Sequence, residues 1–235
     1  MDIGTPLKTL TEVDVAELAS RVLALTDADW TDRPLRRAVF AGDAHNAADT
    51  IVLRHEWMPV YSKRGFPSVH HAVADWCQRL NHPIEGMLPI MEERNDVGWV
   101  YTFSDYLTWQ QLIWPLCIRV AAAINPDPTG LMMRIAFVRL KSGGVVEPHI
   151  DGQSLANRTH RIHIPLSDCP DCIYTIDGEE FAMKPGYAYD FNNKKQHGVR
   201  NEGDIHRINV MLEYLPDPKW VTPAPVIFQQ NIRER

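Results

Sequence analysis

Val15, Leu18, Ala19, Val22 and Leu25 recur at helical spacing, which predicts an amphipathic helix over Thr11 to Leu25 with Thr9 or Thr11 as its cap. Ser68 to Leu80 and Ser104 to Ile124 carry the same periodicity. Pro115, which lacks an amide N–H, predicts a kink or a division in the second of these. Between Arg37 and Val60, β-branched residues and turn formers predict a strand around Thr50 to Leu53. After Asn125-Pro126-Asp127-Pro128 the pattern changes. Leu131 to Leu140, Thr159 to Leu166, Ile173 to Ile176, Tyr187 to Phe191 and Arg207 to Leu215 are short β-like runs separated by Gly, Asp, Asn and Pro. Helices first and strands after, without βαβ alternation, predict a mainly β fold with flanking helices, a barrel or jelly roll rather than a doubly wound sheet. The 235 residues read as one domain: a helical or mixed support over 1–130, a β core over 131–215, and an irregular extension over 216–235.

Two of the strands have unlike faces. In Arg207 to Leu215, Ile208, Val210 and Leu212 alternate with Arg207, Asn209 and Met211. In Thr159 to Leu166, Ile162, Ile164 and Leu166 oppose Arg161 and His163. Each is compatible with a half-buried strand whose polar side is solvated. In a barrel covered by helices, the aliphatic side packs under the helices and the polar side lines the interior. An interior Arg then needs an anion, because an unpaired buried charge costs several kcal/mol, and a dicarboxylic cosubstrate would supply one.

Candidate chemistry begins at Glu147-Pro148-His149-Ile150-Asp151-Gly152, where a His and a carboxylate two residues apart project from the same face of an extended strand. One further His would complete a set of two imidazoles and one carboxylate, an arrangement that suits non-haem iron(II) and leaves positions open for a cosubstrate and oxygen. His-x-Asp by itself is weak evidence, since such pairs commonly sit in surface turns. Downstream, Gln196-His197-Gly198-Val199-Arg200-Asn201 supplies a His after a loop, and Arg207 follows ten residues later.

These segments resemble a known family in order and spacing. His149-Ile150-Asp151, Arg161-Ile162-His163-Ile164-Pro165-Leu166, Cys172, Gly186, Phe191, His197-Gly198-Val199-Arg200-Asn201 and Arg207 are similar to the core of the aspartyl/asparaginyl β-hydroxylases. The resemblance covers about residues 131–215. His45, Asp49-Thr50, Ile51 and Arg54 are similar to a shorter motif upstream of that core in bacterial members, whereas residues 55–130 match no motif. The resemblance implies a double-stranded β-helix (a jelly-roll, cupin-like core), Fe(II), the cosubstrate 2-oxoglutarate and O2. By position, His149, Asp151 and His197 would be the metal ligands and catalytic centre. Arg207 would pair with the distal carboxylate of 2-oxoglutarate, and Arg161 with His163 would contact the carboxylate near the metal. The planar fork of Arg suits that task. Some members lack a carboxylate at the Asp151 position, and some carry a serine where Val138 lies here.

Composition narrows the partners. The net charge is −6, from 24 basic and 30 acidic residues with no long basic run, so a nucleic-acid partner is not expected. No stretch reaches the roughly 20 apolar residues that cross a bilayer, and the start Met1-Asp2 lacks the pattern of a signal peptide, so a cytoplasmic protein without a membrane partner is expected. Four cysteines fit a reducing compartment. Cys169-Pro170-Asp171-Cys172 has no second Cys pair to complete a zinc site and precedes a strand, not a helix, so plain structural thiols are expected. His55, His70, His71, His82, His160 and His206 read as surface or structural residues, with His206 on the face opposite Arg207. Trp109 and Trp114 suit a helix core better than a pocket wall.

The expected activity is hydroxylation of an aliphatic carbon in an amino-acid, peptide or small-molecule substrate, with β-hydroxylation of an Asp/Asn-type residue first. A free amino acid such as proline, or a natural-product precursor, is the alternative. A non-catalytic cupin-like sensor and a zinc hydrolase are readings from other classes, and neither uses the full set of His, Asp and Arg. Asp151 stands where related halogenating enzymes carry a small residue. Mass spectrometry of product formed in chloride buffer should therefore show a gain of oxygen, and a chlorinated product would contradict the reading.

Overall fold

The computed structural model describes residues 1–31, 47–57, 66, 68–126, 129–152, 155–219 and 226–227. His45, with the rest of residues 37–46, and residues 58–60 therefore lie outside the described residues. In chain order the elements are β1 (Leu7–Glu12), α1 (Ala16–Leu23), α2 (Asp27–Thr31), β2 (Ala48–Trp57), α3 (Val69–Leu80), β3 (Pro89–Arg94), β4 (Trp99–Phe103), α4 (Asp105–Ile124), β5 (Leu131–Leu140) and β6 (Val145–His149). They are followed by β7 (His160–Pro165), β8 (Cys172–Ile176), β9 (Glu179–Ala182), β10 (Tyr187–Phe191), β11 (His197–Asn201), β12 (Arg207–Leu215) and β13 (Val226–Ile227).

The strands form a nine-stranded sheet, β1-β10-β7-β12-β5-β2-β4-β3-β13, and a four-stranded sheet, β6-β11-β8-β9. Every pairing is antiparallel. One face of the large sheet is covered by α1 and α4. Ile162, Ile164, Ile208, Val210 and Leu212 join Trp109, Ile113, Leu116 and Val120 in one buried apolar cluster. The other face meets the small sheet across a second cluster that includes Leu140, Val146, Tyr174, Ile176 and Phe191. This is a jelly roll buttressed by helices, and the polar positions of β7 and β12, among them Arg161, His163, Asn209 and Glu213, face the interior between the sheets.

Local details refine the element boundaries. Residues 7–12, expected to lead into a helix, instead form β1, which pairs with β10. The helix starts later, where the Asp14 carboxylate accepts the Ala16 amide at 3.0 Å, so neither Thr9 nor Thr11 caps it. Ser68 caps α3 through its hydroxyl, which accepts from the His71 amide. Pro115 lies within α4 without dividing it. Trp109 is buried as expected, but Trp114 is half exposed at 50% and takes no part in the core. All four cysteines are free and buried. Among the described residues no helix is long and apolar enough to cross a membrane.

Ile164 is fully buried between sheet and helices, whereas Ile118 lies on the outer side of α4 at 51% exposure. Ile164→Ala should lower unfolding free energy by about 2–5 kcal/mol, and Ile118→Ala by no more than about 0.5 kcal/mol, in denaturant titrations followed by circular dichroism. Equal losses would contradict this placement of the core.

Candidate active site

Two strands of the small sheet bring the histidines together. His149 ends β6 and His197 begins β11, and the antiparallel register sets them directly opposite each other, with ring centroids 4.3 Å apart. Gly198 permits this approach: a Cβ there would lie 2.9 Å from the Val146 carbonyl and 3.2 Å from the Pro148 nitrogen. The chain then leaves β6, and Asp151 turns back so that its Oδ1 lies 3.9 Å from His149 Nε2. One ligand atom from each of His149, Asp151 and His197 falls within 4.8 Å of the others. That separation allows one divalent ion to touch all three.

The backbone orients both rings. His149 Nδ1 bonds the Glu147 carbonyl at 2.7 Å and His197 Nδ1 bonds the Lys195 carbonyl at 2.8 Å. A carbonyl can only accept, so each ring carries its proton on Nδ1 and presents the Nε2 lone pair to the shared space. This is the tautomer that metal ligation through Nε2 requires. Burial, the largest influence, pushes His197 down to about 4, against the opposing pull of the Lys195 carbonyl and Asp151, and so keeps its imidazole neutral. Phe191 stands edge-on to the His197 ring at 4.9 Å and packs beside His163 at 5.1 Å, closing one wall.

The large sheet supplies the facing wall. Arg207, Asn209, Met211 and Glu213 alternate along the inner side of β12, with Arg161 and His163 beside them on β7. Arg207 is 5% exposed, and its guanidinium lies 5.4 Å over the Tyr174 ring. With its carbonyl turned toward the donors, the Asn209 amide accepts from Arg207 Nη1 at 3.0 Å, from the Tyr174 hydroxyl at 2.9 Å and from His163 Nδ1 at 3.1 Å. Arg207 Nε is buried and has no hydrogen-bond partner, and no ion pair joins this residue to a carboxylate among the described residues. A buried cation with an unmatched donor favours an anion as its partner. Small apolar side chains, Ala48, Ala136 and Val138, cluster on the same inner surface.

Arg161 is in a different position. Its Nη1 forms a short ion pair with Asp151 Oδ2, and its Nε and Nη2 both donate to Glu213 Oε1, at 3.2 and 2.5 Å. Glu213 Oε1 also receives Arg134 Nη1 at 3.0 Å, and Arg134 pairs in turn with Glu56. Burial raises the Asp151 carboxyl, but Arg161, His197 and His149 outweigh it and hold the group below the usual carboxylate range, so it is ionised. Glu56, at the far end, is raised by burial to about 7 despite Arg134.

All six residues singled out in the sequence, His149, Asp151, His197, Arg161, His163 and Arg207, thus line one interior space. His206 is exposed on the other side, where its Nδ1 accepts from the Ser142 amide at 3.0 Å. Sequence reasoning placed Asn209 on the inward side of its strand without giving it a role, and missed Glu213, Tyr174, Arg134 and Glu56. Glu213 had a signal: it continues the same alternation as Arg207, Asn209 and Met211. Arg134 had a weaker one, as a charged residue on the inward parity of an otherwise apolar run. From the upstream motif, Asp49 pairs with Arg139, and Arg54 with Glu93 and the Thr102 hydroxyl.

A sequence profile described as aspartyl/asparaginyl beta-hydroxylase matches residues 92–216, more than half of the chain. The match reaches back through β4 and α4, where the sequence carried no recognisable motif. No curated protein matches the chain in sequence. Among solved structures, a 2OG-Fe(II) oxygenase family oxidoreductase from Burkholderia pseudomallei is similar, with 16% identity, 58% of this chain and 68% of that chain covered, and a TM-score of 0.43. The non-heme alpha ketoglutarate dependent epimerase SnoN from nogalamycin biosynthesis shares 11% identity over 89% of this chain and 77% of its own, with a TM-score of 0.47. The non-heme monooxygenase ThoJ, in a nickel complex, shares 13% over 94% and 79%, with a TM-score of 0.45. On the extent of the profile match, the chain belongs to the aspartyl/asparaginyl β-hydroxylase family and is an oxygenase of the iron(II)- and 2-oxoglutarate-dependent class.

Proposed function

We propose that this protein hydroxylates an aliphatic carbon of an amino-acid substrate, with the β-carbon of an Asp/Asn-type residue as the first candidate. His149, Asp151 and His197 hold the iron, and Arg207 holds the distal carboxylate of 2-oxoglutarate. The observation that carries this reading is the pairing of two unlike receptors in one interior. A His-Asp-His cluster with both Nε2 lone pairs turned inward faces a buried Arg207 whose Nε lacks a partner. A metal-binding protein of another class has no use for the second receptor.

When bound, iron together with 2-oxoglutarate and O2 supplies the oxidising chemistry, with succinate and carbon dioxide as co-products. The protein's own residues do the rest. Arg207, aligned by Asn209 and Tyr174, fixes the far end of the cosubstrate. His163 lies between that end and the metal cluster. Burial pushes its imidazolium well below the usual range, with Arg207 and Arg161 adding to the effect, so a neutral ring stands beside the cosubstrate. Arg161 is engaged by Asp151 and Glu213, so contact with the cosubstrate's near carboxylate would require one of its donors to be shared. Ala136 and Val138 keep the floor apolar and limit water. The substrate is an amino acid, a peptide or a small molecule that enters the same space.

His149→Ala and His197→Ala should each abolish Fe(II) binding in anaerobic titrations of protein that remains folded. Arg207→Ala should retain Fe(II) but bind 2-oxoglutarate about 10- to 150-fold more weakly, the loss expected for a charged hydrogen-bonding partner. Normal 2-oxoglutarate affinity in Arg207→Ala would contradict the cosubstrate assignment, and normal Fe(II) affinity in either His variant would contradict the ligand assignment.

A further inference from the structure

The proposed ligand set contains one carboxylate, and what surrounds it is unequal on its two sides. Asp151 Oδ2 is taken by Arg161 Nη1, whereas Oδ1 is the oxygen nearer His149 Nε2, at 3.9 Å. A carboxylate with one oxygen occupied by a guanidinium offers the other as a single ligand, which leaves more of the metal's surface to the cosubstrate. Arg161 can do this only if its fork keeps still. Its remaining donors, Nε and Nη2, both end on Glu213 Oε1, and the Glu213 side chain, 2% exposed, is braced by Arg134 Nη1 at 3.0 Å. Arg134 is braced in turn by Glu56, whose side chain is also 2% exposed. Cations and anions alternate along this line, and neither Glu213 nor Arg134 belongs to the metal cluster.

We infer that Glu213 is a positioning residue for the metal site: by holding Arg161, backed by Arg134, it fixes Asp151 as a ligand through one oxygen. This rests on His149, Asp151 and His197 being the ligands. It also gives Arg161 a principal role different from contact with the cosubstrate. The Lys194 ammonium donates to the Asp151 carbonyl at 3.0 Å and ties down the backbone of the same residue, so the side chain is the part left for Arg161 to orient.

A double-mutant cycle tests it, read by titration of the full apo-chain with Zn(II) against a competing chelator. Zn(II) is redox-inert and binds imidazoles more tightly than Fe(II), which keeps variants lacking Asp151 measurable. Glu213→Gln should weaken Zn(II) binding about tenfold, the lower end of what loss of a partner behind a ligand costs, and leave 2-oxoglutarate affinity unchanged. In an Asp151→Ala background the same substitution should have no further effect. Wild-type Zn(II) affinity in Glu213→Gln overturns the inference, as does an equal loss in both backgrounds, because Glu213 would then act without Asp151. Should Glu213→Gln fail to fold by circular dichroism, Glu213→Asp, which keeps the charge but draws it back from Arg161, is run through the same cycle and judged by the same Zn(II) outcomes. Failure of the ligand reading itself looks different: His149→Ala would then bind Zn(II) like the wild type.

Discussion

An arginine taken out of water loses hydration worth several kcal/mol, so the inner face of this sheet can carry Arg134, Arg161 and Arg207 only where something answers each charge. Glu56, Glu213 and Asp151 answer the first two in an alternating line. Arg207 receives an amide oxygen and the face of a tyrosine, neither of which neutralises it. That difference divides the interior into a closed line of ion pairs on one side of the histidines and, on the other, a buried arginine with no carboxylate partner among the described residues. The reading of the site, from cosubstrate orientation to the role of Arg161, follows from where this compensation is complete and where it is not.

The fold achieves this with ordinary means. Strand alternation puts every second residue of β7 and β12 inside, so Arg161, His163, Arg207, Asn209 and Glu213 share one surface while their aliphatic neighbours are sealed under α1 and α4. The small sheet brings His149 opposite His197 by register, and Gly198 lets the two strands approach. Carbonyls two residues upstream of each histidine then select the Nδ1–H tautomer. The site is therefore held by two sheets facing each other, and its precision comes from packing rather than from the loop that carries Asp151.

Much of this was legible in the sequence because strand period is a strong signal where one face is buried. The split faces of Arg207 to Leu212 and Arg161 to Leu166 pointed to the inward residues, whereas His149, Asp151 and His197 were joined as one set by the family resemblance, and the structure brings the three together. Other features left little trace. β1 was hidden because Leu7 to Glu12 alternates poorly and runs into a helix. β9 was passed over although Asp177-Gly178, both at positive φ, marks a two-residue hairpin turn. Arg134 and Glu56 sit far apart in the chain, and their pairing is a product of sheet order, which periodicity does not encode. β3 and β4 fell within a stretch that matched no motif, yet both belong to the same sheet, and all of β4 and the end of β3 lie in the family match.

The central claim is that Arg207 awaits the second carboxylate of a dicarboxylic 2-oxo acid. It is tested most directly by loading the anaerobic protein with Fe(II) and comparing the visible charge-transfer band produced by 2-oxoglutarate with that produced by 2-oxopentanoate, which has the same chelating end and chain length but a neutral tail. The account predicts saturation by 2-oxoglutarate at concentrations at least about tenfold below those needed for 2-oxopentanoate. Equal affinity for the two acids would mean that Arg207 answers to something else, and the account would be wrong.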